Sequence, residues 1–427
     1  MPAPARGSNK VMKTIRALMP VVTLLALTAA LSARAENWPR FRGPNGSGIS
    51  PDKGFPAQWA AADWAWKIKL AGVGHSSPCV WGDHVFITSA VDGGRQRVLQ
   101  DIDAKTGAVR WSWQRPGAAL PMHKLNSHAS ATCTTDGQRV YTLFGNGQEY
   151  WLHAHDFQGK LQWEINLGPS ISKHGHGTAT SPIVFEDLVI LLNEQDTDGG
   201  FITAVESATG RARWKTERKV DKMTFATPII VTVAGKPQLI TSSATDGVMG
   251  LDARTGKFLW HAPLFSVRTC GSPISADGLI FAAEGDGGRG KTLLAVRPDG
   301  LGDVRQSHLA WSRDRSLPYV PTPLAHEGRL YLWNDNGIVS CVDAKTGREH
   351  WTERVDGADY SGSPIYVDGK IFCVSRGGDI LALAAAAQFK KLGQTPLGEG
   401  CHSTPAVSNG RLFIRGFEHL YCLKARD

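Results

Sequence analysis

Four histidines stand a few residues ahead of a short hydroxyl-rich step: His75 before Ser77-Pro78, His128 before Ala131-Thr132, His176 before Ser181-Pro182 and His402 before Thr404-Pro405. Thr224-Phe225, Arg268, Tyr319 and Tyr360 hold the same place before four further Ser/Thr-Pro steps, and Cys270 and His174 add to the set. Imidazoles brought together suit a borderline or soft cation such as zinc or copper. Guanidinium and phenol groups suit an anionic or aromatic ligand. A loop histidine beside Ser and Thr can equally hydrogen-bond the backbone and set a turn, and no HExxH segment adds weight to the metal reading. Residues 194–200 (EQDTDGG) begin like a calcium loop but lack its terminal bidentate Glu. Residues 284–291 (EGDGGRGK) are glycine-rich enough to cradle a phosphate, yet with no helix following they read as a long hairpin loop. No Ser-His-Asp or Cys-His set can be argued from spacing.

What must position these scattered residues is a repeat. Segments 103–111 (DAKTGAVRW), 252–260 (DARTGKFLW) and 343–351 (DAKTGREHW) share one pattern, with looser copies ending at Trp163 and Trp214. Successive tryptophans lie 52, 51, 46 and, over two units, 91 residues apart. A period of about 40–50 residues with one tight turn per unit marks a β-propeller. Each unit opens at a Ser/Thr-Pro step, runs through an Asp-Gly-type hairpin and ends in the turn and Trp strand, giving four strands. Eight such starts, at 77, 131, 181, 227, 272, 322, 363 and 404, predict an all-β, eight-bladed propeller over 64–427, with seven blades the alternative. The eighth unit lacks its Trp strand, and WAWKIKL at 64–70 supplies it, closing the ring. The seventh has ALAAAAQFKKLGQ where the turn belongs, with Phe389 standing in for the tryptophan. Trp66, Trp111, Trp163, Trp214, Trp260, Trp311 and Trp351 are expected to pack between blades, and Gly107, Gly159, Gly210, Gly256 and Gly347 to supply the positive φ of the turns. In such a ring the loops ahead of the first strands converge on one mouth, with an imidazole side and an Arg/Tyr side.

Residues 1–35 stand apart as a secretory signal: Lys10, Lys13 and Arg16, then a short apolar run, then Ala33-Arg34-Ala35. Residues 36–63, with WPRFRGPNG near their start, form an irregular segment expected to drape over the propeller wall. Five of the 47 Lys and Arg fall in 1–35, leaving 42 against 39 Asp and Glu, so a nucleic-acid partner is not implied. With no span after signal cleavage, the protein is expected to be exported, soluble in the periplasm or outside the cell, and monomeric. The seven cysteines include no adjacent pair, and equivalent positions in different blades are too far apart to bond, so buried free thiols are expected.

The turn-plus-Trp unit resembles the pyrroloquinoline quinone (PQQ) repeats of quinoprotein dehydrogenases. More closely, the chain resembles the exported bacterial PQQ-like propellers grouped with the assembly factor BamB, through 38–48 (WPRFRGPNGSG), 272–288 and 334–347. Dehydrogenases of this type carry an adjacent Cys-Cys pair and hold a divalent cation with Glu, Asn and Asp; neither set can be placed in this sequence, and BamB's lipoprotein cysteine is absent at the cleavage point. Three readings follow. The first is an exported, non-catalytic propeller binding a protein, peptide or small ligand at its mouth through His75, His128, His176, Arg268, Tyr319, Tyr360 and His402. The second is a PQQ-dependent alcohol or sugar dehydrogenase using PQQ with a divalent cation in a divergent pocket. The third is a metal-binding propeller using His75, His128, His176 and His402.

Overall fold

Apolar residues alternating on both sides of two-residue turns make hairpins, and in this computed structural model the hairpins assemble into eight blades of four antiparallel strands among the described residues, two of them widened by a short parallel fifth strand. The structure describes Met1 and residues 36–120, 122–145, 148–172, 175–195, 198–220 and 222–426; the remainder of the expected signal peptide and His174 lie outside them. Blade 1 comprises Cys79–Trp81, His84–Val91, Gln96–Asp103 and Val109–Pro116, and the next six blades repeat this order along the chain. Blade 8 comprises Ala406–Ser408, Arg411–Arg415 and His419–Lys424, and its outer strand is Trp64–Lys69, paired Trp66 to Cys422 and Ile68 to Leu420. The expected closure by an N-terminal strand is therefore present.

The first strands of neighbouring blades touch one another and form the inner wall. They are laced together by a belt. The N–H of Ser77 donates to Thr132 Oγ1, Thr132 to Ser181, Ser181 to Thr227, Thr227 to Ser272, Ser272 to Thr322, Thr322 to Ser363, Ser363 to Thr404, and Thr404 back to Ser77, all at 2.9–3.2 Å. The hydroxyls of the Ser/Thr-Pro steps thus join each blade to the next around the full circle.

At the outer wall the turns behave as their sequence requires. Asp103 Oδ1 accepts the N–H groups of Lys105 (2.9 Å) and Thr106 (2.8 Å), and Gly107 takes φ +76°. Each tryptophan lies on the turn glycine of the following blade: Trp66 on Gly107, Trp111 on Gly159, Trp163 on Gly210, Trp214 on Gly256, Trp311 on Gly347. Several indole N–H groups also donate across the seam, as Trp66 does to the Ala104 carbonyl (3.1 Å) and Trp311 to Ala344 (3.1 Å). Trp260 differs. It is fully buried over Gly250 of its own blade and donates to Gln238 Oε1 at 2.8 Å, and Gly302–Asp303 of blade 5 pairs in parallel alongside its strand.

Replacing Gly256 by Ala would drive a Cβ into the Trp214 ring at a backbone φ of +70°, whereas Gly278 has the same backbone sign (+77°) and open space around it. We expect Gly256→Ala to lose about 2–3 kcal/mol in urea unfolding and Gly278→Ala about 1 kcal/mol. Equal losses would mean that the indole does not depend on the bare turn.

Two expectations need correction. The irregular segment 36–63 does not drape over the wall; most of it threads the central channel, touching first strands all around the ring. Trp38, 1% exposed, bridges Val80 of blade 1, and the Pro39 carbonyl accepts Thr135 N–H (2.9 Å) in blade 2. Asn45 pairs with Ile230 (2.7 and 2.9 Å) in blade 4, and Ile49–Ser50 adds a parallel strand to Ile365–Val367 of blade 7. Only the channel axis is within reach of all these strands. The segment enters beside the blade 1 hairpin, where Gly82 N–H donates to Asn37 Oδ1 (2.8 Å). It leaves beside those of blades 8 and 7, where Gly410 donates to Asp52 and Gly54 to Asp368 (2.8 and 3.1 Å), so both ends lie on the face away from the mouth.

The second correction concerns Phe389. In blade 7 the position paired like the other tryptophans is Gly393, opposite Ala382. The indole there comes from Trp59, 6% exposed, whose backbone N–H donates to Thr395 Oγ1 (3.1 Å) and whose ring lies 6.1 Å from Phe372. Phe389 instead meets Trp351 of blade 6 edge-on at 5.2 Å, replacing the missing turn glycine as its platform. Among the cysteines, all seven are free and six are buried; Cys79 and Cys133 share one apolar cluster between blades 1 and 2, closer than their equivalent positions imply.

Candidate functional site

The loops ahead of the first strands ring a cavity of about 650 Å³ at the mouth, with the eight belt residues around it and Phe41 of the channel segment among its lining. Of the residues singled out from the sequence, His75, His176, Arg268, Tyr319 and His402 line it, as do Phe225 and Cys270. His128 and Tyr360 do not. The His128 ring lies against Gly94, with Nδ1 3.4 Å from the Arg97 guanidinium, so it faces the blade 1 edge. Tyr360 is fully buried, its hydroxyl donating to Asp356 (2.6 Å) and its ring against Trp333. Spacing places a residue in the loop; it does not set which way the side chain turns.

The imidazoles form two separate pairs. His75 and His402, on neighbouring blades, have ring centroids 4.5 Å apart, and the Leu125 backbone faces both. Burial, then the neighbouring His402 and Arg415, pushes His75 down to about 3, and burial, then Arg376, pushes His402 down to about 4, so both are neutral near pH 7. His176 stacks on His123 at 5.3 Å and lies 3.4 Å from Arg268 Nη1. With the four proposed metal ligands spread over three places, they do not converge on one ion, and among the described residues no three His, Cys, Asp or Glu side chains do.

On the opposite side, Arg268 Nε donates to the Met223 carbonyl (3.1 Å) and its guanidinium lies 5.8 Å over Phe225. Burial raises the Tyr319 phenol and pushes Cys270 up to about 12, leaving both un-ionised. Asp335, raised to about 6 by burial, accepts Tyr319 and Val320 N–H groups. Arg376 binds Ser361 Oγ (2.8 Å), the Tyr360 carbonyl (3.1 Å) and Asp359 (3.3 Å). Sequence reasoning missed Arg376, Asp335, Phe41 and the belt. Only the belt carried a visible signal, its Ser/Thr-Pro step, which reads as a strand opening rather than as a lining.

In the loop at 194–200, Glu194 is buried against Arg218 (2.9 Å), and Asp196 and Thr197 lie outside the described residues. Residues 284–291 belong to the long hairpin of Leu279–Asp286 and Arg289–Val296, with Asp286, Gly287 and Gly288 on the cavity rim. No belt hydroxyl donates to an imidazole or carboxylate among the described residues, so none is activated as a nucleophile. Nor do the lining residues fit a quinone with its cation. Asp335 is spent on two amides and Asp359 faces Arg376, and the one lining cysteine has no neighbouring thiol to form the pair.

The sequence profile of the family described as outer membrane protein assembly factor BamB matches residues 59–197, 198–323 and 305–388. The outer membrane protein assembly factor BamB of Moranella endobia is 24% identical over 297 residues, which are 64% of this chain and 66% of that protein; the match thus spans just under two-thirds of that relative's length. Among solved structures, BamB from Moraxella catarrhalis superposes with a TM-score of 0.59 at 14% identity, over 84% of this chain and 99% of that one. A quinohemoprotein alcohol dehydrogenase from Comamonas testosteroni reaches 0.66 at 15% identity, over 91% and 80%. These two likenesses carry the propeller fold alone. From the profile, which runs from residue 59 to residue 388, the chain belongs to the family of outer membrane protein assembly factor BamB.

Proposed function

We propose that this protein is an exported, non-catalytic propeller that holds a segment of a partner protein in its mouth. One observation carries the reading. The mouth is a cavity of about 650 Å³ built by loops of all eight blades and stopped from behind by the protein's own N-terminal segment, so it is a socket rather than a pore. Its Asp335 and Arg376 are engaged in holding loops, and among the described residues no nucleophile, base and orienting group come together there. Membership of a family named for assembly of outer membrane proteins supports a protein as the ligand. No described helix is long and apolar enough to cross a membrane.

A photo-crosslinking residue at Phe225, inside the mouth, should give a discrete protein adduct in an exporting cell, and one at Val109, exposed on the outer edge of blade 1, should not. The purified protein should show no quinone band after incubation with PQQ and calcium. A stoichiometric band with dye-linked alcohol or sugar oxidation would overturn the reading.

A further inference from the structure

A serine or threonine hydroxyl can accept two hydrogen bonds and donate one. In the belt each hydroxyl accepts one, from the neighbouring blade's N–H, and among the described residues none of the eight protons has an acceptor. All eight residues are at least nine-tenths buried, and all eight line the cavity. Eight unspent O–H donors therefore face one space.

One residue below the belt lie two guanidinium groups. Arg42 donates to the carbonyls of Pro323 (3.0 Å) and Pro364 (2.7 Å), which directly follow Thr322 and Ser363. Arg40 donates to the carbonyl of Pro228 (2.7 Å), which follows Thr227, and its Nε has no partner among the described residues. Both arginines are at least nine-tenths buried, and their described partners are carbonyl oxygens, with no carboxylate. Two positive charges thus sit uncompensated beneath a ring of donors, where low dielectric strengthens their field. Of the acids lining the mouth, Asp335 turns to backbone amides and Asp359 to Arg376, while Asp286 lies on the rim 4.0 Å from Lys291.

We propose that the belt is a seat for an oxyanion, supplied by the carboxylate side chains of an acidic segment in the partner. The inference rests on the mouth being a peptide socket. The carboxylate oxygens take the hydroxyl protons as charge-assisted hydrogen bonds, and the buried arginines supply the countercharge.

Calorimetric titration of the purified protein with tetraglutamate, tetraglutamine and inorganic phosphate tests it. Tetraglutamate should bind about tenfold tighter than tetraglutamine, weaken as salt rises, and be displaced by phosphate. Phe41→Glu places a carboxylate of the protein's own at the cavity floor and should weaken tetraglutamate about tenfold, while Phe41→Gln should not. Should Phe41→Glu lose its cooperative melt, phosphate competition in the unsubstituted protein reads the same seat. Equal affinity for the two peptides overturns the oxyanion seat and leaves the peptide socket standing. Phosphate binding with neither peptide overturns the acidic segment and the socket, leaving a seat for a free anion. No binding by any probe overturns both.

Discussion

Exchanging residues 64–70 for a glycine–serine stretch of equal length should abolish the single cooperative unfolding transition. The exchange keeps the reach between the channel segment and the first blade, so only the strand is lost. With it go the pairs from Trp64–Leu423 to Lys69–His419 and the Trp66 contact with Gly107 and Ala104. An indole removed from such a layer costs about 3–5 kcal/mol. The backbone bonds add about 1 kcal/mol each, against a total stability on the order of 5–15 kcal/mol. Blade 8 would be left with three strands and an unpaired edge. Blade 8 and blade 1 would still share the Thr404–Ser77 belt link, Arg415 bound to Ser76 and Thr88, the Asn409–Gly82 bond and an apolar cluster. Scanning calorimetry should show a broad, early or split transition, with His75→Ala close to the parent. A melting temperature equal to the parent's for the exchanged protein would contradict closure by this strand.

Trp59→Ala should be nearly as damaging, although no repeat marks that residue. Its ring stacks edge-on with Trp64 at 5.4 Å and lies against Phe372, filling the layer where Gly393 contributes no side chain. The expected loss is about 3–5 kcal/mol, the same scale as for Trp351→Ala in blade 6. A second readout separates this from a generic core lesion. Because Trp59 anchors the chain as it leaves the channel, limited proteolysis within 36–60 should accelerate in Trp59→Ala and not in Trp351→Ala. A loss under about 1 kcal/mol would mean that blade 7 does not use this indole.

The repeat was legible because it is written in local chemistry. Asp and Gly are forced by the turn, and Trp by the seam it fills, so the eight blades and the closing strand at Trp64–Lys69 follow from spacing. The channel segment was not legible, since its partners lie in most of the blades and no period in 36–60 encodes them. Phe389 shows the same limit within one unit. Its apolar character was plain, but whether it acted as the indole or as the platform for another indole depends on strand register, which pairs Gly393 with Ala382. At the mouth, position along the chain gave the right loops for His75, His176, Arg268, Tyr319 and His402. It failed for His128 and Tyr360, whose rings turn toward Arg97 and Trp333.

The threaded N-terminus has a consequence for how the molecule is made. Arg42 and Trp64–Lys69 find their partners far along the chain, at Pro364 and His419–Lys424. A nascent chain can form hairpins and whole blades as it grows, but it cannot shut the ring until His419–Lys424 has been made. Contacts so distant along the chain make folding slow, on a scale of about milliseconds to seconds. The delay predicts that chains truncated before His419 are left with an unpaired Trp64–Lys69 strand and a free Trp66.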